Sequence, residues 1–163
     1  MNSKDQRPKR GKKLSTLFSK AELKHISLIA ILIILDQITK FFARTELKRS
    51  IALIPKVFHL TLVKNTGMGF GLLKESNTLL IFITVIIIGL LIYYFRNLSE
   101  NKHSNISLCL ITAGALSNLI DRITLHHIID FIDFRIWPVF NLADAFISIG
   151  IIYLIYATFK KEN

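Results

Sequence analysis

Residues 78–95 read TLLIFITVIIIGLLIYYF, eighteen positions without a charge. A helix of that length covers about 27 Å, close to the hydrocarbon thickness of a bilayer, and a lipid-exposed segment must satisfy its own backbone hydrogen bonds. Three further blocks share this character. Residues 140–159 carry one charge, Asp144. Residues 26–43 are apolar except around Asp36, Gln37 and Lys40, and residues 106–120 form a shorter stretch rich in small side chains. The blocks predict an all-α polytopic membrane protein with four transmembrane helices. Hydrophobic residues make up 52% of the 163, more than one soluble core of this size needs. Uneven charge excludes a disordered chain, and the single Cys109 excludes an internal disulfide framework or a cysteine-based zinc site.

Charge orients the bundle. Ahead of Leu28 lie Lys4, Arg7, Lys9, Arg10, Lys12, Lys13, Lys20 and Lys24, against Asp5 and Glu22. The positive-inside rule places this tail in the cytoplasm. Four spans then put Lys160 and Lys161 there too, with the turn at 96–105. Residues 1–20 are expected to be a disordered basic cytoplasmic tail and 21–163 the membrane unit, with segments 45–77 and 122–139 facing outward. Lys48, Arg49, Lys56, Lys64 and Lys74 run against this orientation. A nucleic-acid arm is the rival reading of the tail. It has no aromatic platform, so a topology signal and contact with anionic lipids fit better. A cleaved signal peptide would need small residues after Leu35, where Asp36, Gln37 and Lys40 stand instead.

Residues 57–64 (VFHLTLVK) alternate, with Phe58, Leu60 and Leu62 on one face, which predicts a β-strand lying on the bundle or the membrane surface. Asn65-Thr66-Gly67 follows as a turn, with Gly69 and Gly71 beyond it. Residues 128–134 are a candidate partner strand, and Pro138 stops the chain before the last helix.

The aspartates carry the most information. Asp36, Asp121, Asp130, Asp133 and Asp144 all lie in or at the outer edge of hydrophobic segments. An ionisable group at membrane depth costs about 2.5–3.5 kcal/mol on insertion scales, so its presence points to a use. Each has a plainer explanation. Asp36 and Lys40, four apart on a helix, neutralise each other. Asp121-Arg122 is a helix-end ion pair. Asn141 and Asp144 cap a helix. Asp130 and Asp133 are solvated loop residues, and Ala113, Gly114, Ala115 and Ser117 give close helix packing. None of these explains why all five gather at one membrane level.

Other chemistries find little support. There is no HExxH, GxSxG, P-loop or GxGxxG, and His126 and His127 are adjacent and so point apart. Paired carboxylates remain: in a low dielectric they share one proton and can activate water while protonating a carbonyl oxygen. A proton-coupled transporter would stagger its carboxylates through the bilayer, and a non-catalytic scaffold would not need them.

Five stretches carry a resemblance. They are Asp36-Gln37-Ile38-Thr39-Lys40, Asn65-Thr66-Gly67-Met68-Gly69-Phe70-Gly71, the run from Gly114 to Arg122 (GALSNLIDR), Ile129-Asp130-Phe131, and Phe140-Asn141-Leu142-Ala143-Asp144. In this order and spacing the chain resembles the lipoprotein signal peptidases (signal peptidase II), bacterial membrane aspartyl proteases. The resemblance covers nearly everything after the tail. It implies four transmembrane helices with a small extracytoplasmic β-sheet. It implies that Asp130 and Asp144 are catalytic, and that Asn65, Gly67, Asn118, Arg122 and Asn141 line the site or hold substrate. Asp36, Lys40 and Asp121 match supporting positions, and Asp133 lies outside the motif.

Two departures stand out: Met68-Gly69 replaces a commoner small pair, and Ser117 stands where glycine is usual. The implied substrate is a prolipoprotein carrying diacylglycerol on a cysteine, cut just before that cysteine in the bacterial inner membrane. No metal, cofactor or nucleic acid is implied. The expected partners are this substrate, membrane lipids and globomycin-like cyclic peptide inhibitors, and the expected state is a monomer.

Overall fold

The computed structural model describes residues 19–67, 76–97 and 102–161. The basic tail up to residue 18, Met68-Gly69 and Gly71 lie outside the described residues. Helix α1 (Lys20–Glu46) begins at a capping box: Ser19 Oγ accepts from the Glu22 amide at 3.2 Å, and Glu22 Oε2 accepts from the Ser19 amide at 2.6 Å. Strands β1 (Ile51–Ile54) and β2 (Phe58–Asn65) follow, then helices α2 (Asn77–Asn97) and α3 (Lys102–Leu125), strand β3 (Ile128–Asp133) and helix α4 (Leu142–Lys161). All four helices are long and apolar enough to cross a membrane.

Helix α3 is the centre of the bundle. Buried residues make up 72% of its span, against 17%, 6% and 17% for α1, α2 and α4. The outward faces of those three carry bare apolar side chains such as Ile34, Phe41, Phe82, Ile86 and Ile152, the pattern of a lipid-facing surface. The small residues of α3 let α4 approach closely. A Cβ on Gly114 would strike the carbonyl oxygen of Ala143, so a side chain there needs a backbone shift. Two turns deeper on α4, a Cβ on Gly150 would sit 2.7 Å from Ile111 Cγ1. Glycine at both points sets the spacing of these helices.

The three strands form one antiparallel sheet in the order β1-β2-β3. Its underside packs on the end of α1: Ile129 and Phe131 join Ala43 and Leu47, with Leu60 and Leu62 against them. The register pairs His59 with Asp133 and Val63 with Asp130, with an irregularity between Leu60 and Val63. The alternating segment and its candidate partner are therefore both strands. Strand β1 was not predicted. Its residues, Ile-Ala-Leu-Ile, have no polar alternation to mark a face. Helix α3 starts four residues before its apolar block and continues past Arg122 to Leu125, because polar residues extend a helix that tertiary packing already holds.

Candidate active site

The C-terminal halves of α1 and α3, the N-terminal end of α4 and the middle of β3 meet in one polar layer. Two linked groups make it up. The first is built on Lys40, which is 3% exposed. Its Nζ lies 2.7 Å from Asp36 Oδ2 and 3.0 Å from Asp121 Oδ2, and donates to Asn118 Oδ1 at 2.8 Å. All three donors of the ammonium are engaged. Asp36 is thus neutralised by Lys40 four residues on, as the spacing predicts. It also accepts from Ser117 Oγ at 2.6 Å and from the Ala143 amide at 2.8 Å. The latter bond places a carboxylate on a free N–H at the start of α4, the end of the helix that favours negative charge. Asp121 accepts from Gln37 Nε2 at 2.8 Å and from the Ile129 amide at 3.2 Å.

The Asp121-Arg122 ion pair considered from sequence does not form. Asp121 turns to Lys40, and Arg122 Nη2 donates to the Gly67 carbonyl at 2.7 Å. Gly67 in turn donates its amide to Asn65 Oδ1 at 3.0 Å. Arg122 therefore holds the turn after β2, and its planar guanidinium suits that carbonyl.

The second group contains Asp130 and Asp144. Asp130 is 1% exposed, which removes the solvated-loop reading. Its Oδ1 accepts from Asn141 Nδ2 at 2.7 Å and its Oδ2 from Asn65 Nδ2 at 2.9 Å. Asp144 Oδ1 accepts from Asn118 Nδ2 at 2.8 Å. Asn141 also forms the cap expected of it: its Oδ1 accepts from the Asp144 amide at 2.9 Å, while Asp144 Oδ2 accepts from the Asn141 amide at 3.3 Å. The cap and the carboxylate pair are thus one construction. Asn141 reaches both aspartates and fixes their relation.

Burial, and then the charge of Asp144, push the Asp130 carboxyl up to about 7, against the hydrogen bonds from Asn65 and Asn141 and the charge of Lys40. The Asp130 carboxyl therefore keeps its proton into the near-neutral range.

Asp133 stands apart, as its position outside the motif predicts, although it too is buried. It accepts from Thr61 Oγ1 at 2.9 Å, from the Arg135 amide at 2.8 Å and from Arg135 Nη1 at 3.1 Å. Burial alone would raise its carboxyl, but these bonds and the Arg135 charge hold it below the usual range. It ties β2 to the loop after β3.

A cavity of about 480 Å³ opens beside the pair. Asn65, Gly67, Asn118, Arg122, Asp130 and Asp144 line its polar end. Ile111, Ile147 and Ile151 continue it inward, Ile151 being seven residues or about 10 Å deeper than Asp144 along α4. All ten candidate residues therefore fall in one assembly, with Asp36, Lys40, Asp121 and Asn141 behind the cavity rather than on its wall. Sequence reasoning missed Gln37 as a partner of Asp121 and read Ser117 only as a small packing residue. Ser117 is the glycine departure, and its hydroxyl holds Asp36.

A family model described as "Signal peptidase (SPase) II" matches residues 28–160. The chain is 43% identical over 137 residues to the lipoprotein signal peptidase of Halothermothrix orenii, covering 83% of this chain and 94% of that one. It is 44% identical over 139 residues to the lipoprotein signal peptidase of Caldanaerobacter subterraneus, covering 83% and 96%. Among solved structures, a bacterial membrane enzyme obtained by the in meso method at 2.3 Å resolution superposes with a TM-score of 0.78 at 34% identity, covering 86% of this chain and 90% of that one.

Proposed function

The chain belongs to the signal peptidase II family, and from that premise we infer which residues cut and on which side of the membrane they work. It is a multi-pass membrane protease that removes signal peptides from prolipoproteins. Asp130 and Asp144 are its catalytic pair. The observation that carries this reading is their convergence: two carboxylates from β3 and α4, joined through Asn141, face one cavity that is polar at one end and apolar at the other.

The chemistry follows from the shared proton. The ionised member of the pair takes a proton from water, whose oxygen bonds to the scissile carbonyl carbon. The protonated member donates to the carbonyl oxygen. As the tetrahedral intermediate collapses, the C–N bond breaks and a proton passes to the leaving amine. Asn65, Asn118 and Asn141 hold the carboxylates in place. Arg122 and Gly67 fix the turn beside them. Lys40 compensates the buried charges of Asp36 and Asp121.

The cut falls just before a cysteine that carries diacylglycerol. The cavity supports this: the peptide reaches the polar end while apolar chains lie along Ile111, Ile147 and Ile151. The same two-ended shape suits globomycin-like cyclic peptides. The basic tail argues for cytoplasmic termini, and hence for an active site at the outer face of the bacterial inner membrane, in contact with membrane lipids and working as a monomer. The test is cleavage by purified enzyme of a diacylglyceryl-modified prolipoprotein and its unmodified counterpart. The modified substrate is cut before its cysteine and the other far more slowly; scission elsewhere refutes the reading.

The shared proton also sets a pH dependence. Asp130 is raised, so its proton persists to about pH 7 and is lost above it. Cleavage should fall about tenfold per pH unit on the alkaline side. Stability moves the same way. The preference of the fold for a neutral carboxyl is fully present below about pH 4 and is lost as pH rises through about 7. Thermal unfolding from pH 5 to 9 should show this decline, and Asp130→Asn should flatten it.

A further inference from the structure

Between β3 and α4 the chain makes a loop tied down at both ends. At its start, Asp133 accepts from the Arg135 amide and side chain, and Arg135 takes a left-handed φ of 66°. At its finish, Phe140 pairs with β3: its amide donates to the Ile132 carbonyl at 3.1 Å, and its carbonyl accepts from the Ile132 amide at 2.8 Å. The Phe134 ring stacks between Phe58 at 5.0 Å and Phe140 at 5.9 Å. Residues 136–139 lie between these two ties. Ile136 is 93% exposed there and Trp137 61%. Trp137, Pro138 and Val139 line the same cavity as Asp130 and Asp144.

The loop is anchored to the catalytic residues on both sides. Asp130 lies three residues before Asp133, and Asn141 directly follows Phe140. An aromatic tip on such a base is held rigidly over the site. Its level is the outer end of α3 and α4, where water gives way to lipid. A tryptophan suits that level because its ring is apolar and its indole N–H is polar.

We propose that Trp137 is the wall of the cavity that reads the lipid on the substrate. This rests on the reading of the cavity as the seat of the diacylglyceryl cysteine. The indole ring packs on the first methylenes of the acyl chains. Trp137 thereby discriminates lipidated from unlipidated prolipoprotein, while Asp130 and Asp144 perform the cut.

The enzyme is assayed in lipid nanodiscs on a diacylglyceryl-modified peptide and the same peptide unmodified. Trp137→Ala raises KM for the lipidated peptide about tenfold, the scale on which an apolar wall discriminates. It changes kcat far less than KM, and cleavage of the unmodified peptide falls by a much smaller factor. Trp137→Phe restores most of the loss. An equal fall in kcat/KM for both peptides makes Trp137 merely structural and overturns the proposal, as does no change at all.

Trp137 is the only tryptophan in the chain, so it can be followed without mutating it. In an Asp130→Asn enzyme, which binds without cutting, a peptide with brominated acyl chains quenches its emission and an unbrominated one does not. Equal emission with both overturns the proposal. If wild-type enzyme cuts the two peptides equally well, the substrate reading itself fails. If wild type discriminates and Trp137→Ala discriminates equally, only the role of Trp137 fails.

Discussion

Asp130→Asn and Asp144→Asn each reduce cleavage to near background, and the double variant is little worse than either. The two act as one unit: a lone carboxylate can activate water but cannot also protonate the carbonyl oxygen, so the second loss removes almost nothing further. Asparagine keeps the shape, and at 144 its single carbonyl oxygen can still accept from one of the two donors, the Asn118 side-chain amide or the Asn141 backbone N–H. If Asp144 served only the cap, Asp144→Asn would cost about 0.3–1 kcal/mol of stability and spare activity. Turnover of a lipidated substrate measured beside thermal stability in detergent separates these outcomes. Substantial turnover by a folded Asp144→Asn protein refutes the two-aspartate mechanism. Asp133→Asn provides the control. It weakens the tie to Thr61 and Arg135 and lowers stability, while activity per folded molecule survives.

The second large effect is at Lys40. Lys40→Met removes the only cation within salt-bridge distance of Asp36 or Asp121 among the described residues. Both carboxylates stay buried, Asp36 at 0% and Asp121 at 2% exposure. Breaking a buried ion pair from one side costs about 3–5 kcal/mol, because a buried charge is left without compensation. The variant should unfold in detergent at a far lower temperature than wild type. Lys40→Met combined with Asp36→Asn should recover much of that loss, since one stranded charge is gone. Equal stability of Lys40→Met and wild type would show that the ammonium carries no structural weight.

Much of this site was legible in the sequence, for physical reasons. Charges in apolar runs are costly, so Asp36, Asp121, Asp130 and Asp144 announced themselves against their surroundings. The four-residue spacing of Asp36 and Lys40 gave their pairing. Asn141 three residues before Asp144 gave the cap, and alternation gave β2. Other features depend on tertiary approach, which a local pattern does not encode. Nothing at Arg122 says that its partner is the carbonyl of Gly67, 55 residues earlier. The neighbouring Asp121 suggested the wrong pairing, because adjacent residues on a helix point in different directions. Ser117 looked like a small packing residue, yet its hydroxyl meets Asp36 from another helix. Strand β1 has too few residues and no alternation to separate it from a loop.

The polar layer draws on residues 36 through 144, and this bears on how the protein is made. Asp36 and Lys40 share one helix and can enter the bilayer as a neutral pair while the rest of the chain is still being synthesised. Asp121 meets that cation only when α3 arrives. Asp144 comes with the last helix, whose first amides then close on Asp36 and Asn141. A partly synthesised chain therefore holds Asp36 and Lys40 already matched but lacks Asp144, and on the proposed mechanism proteolytic competence begins only when the final helix is in place.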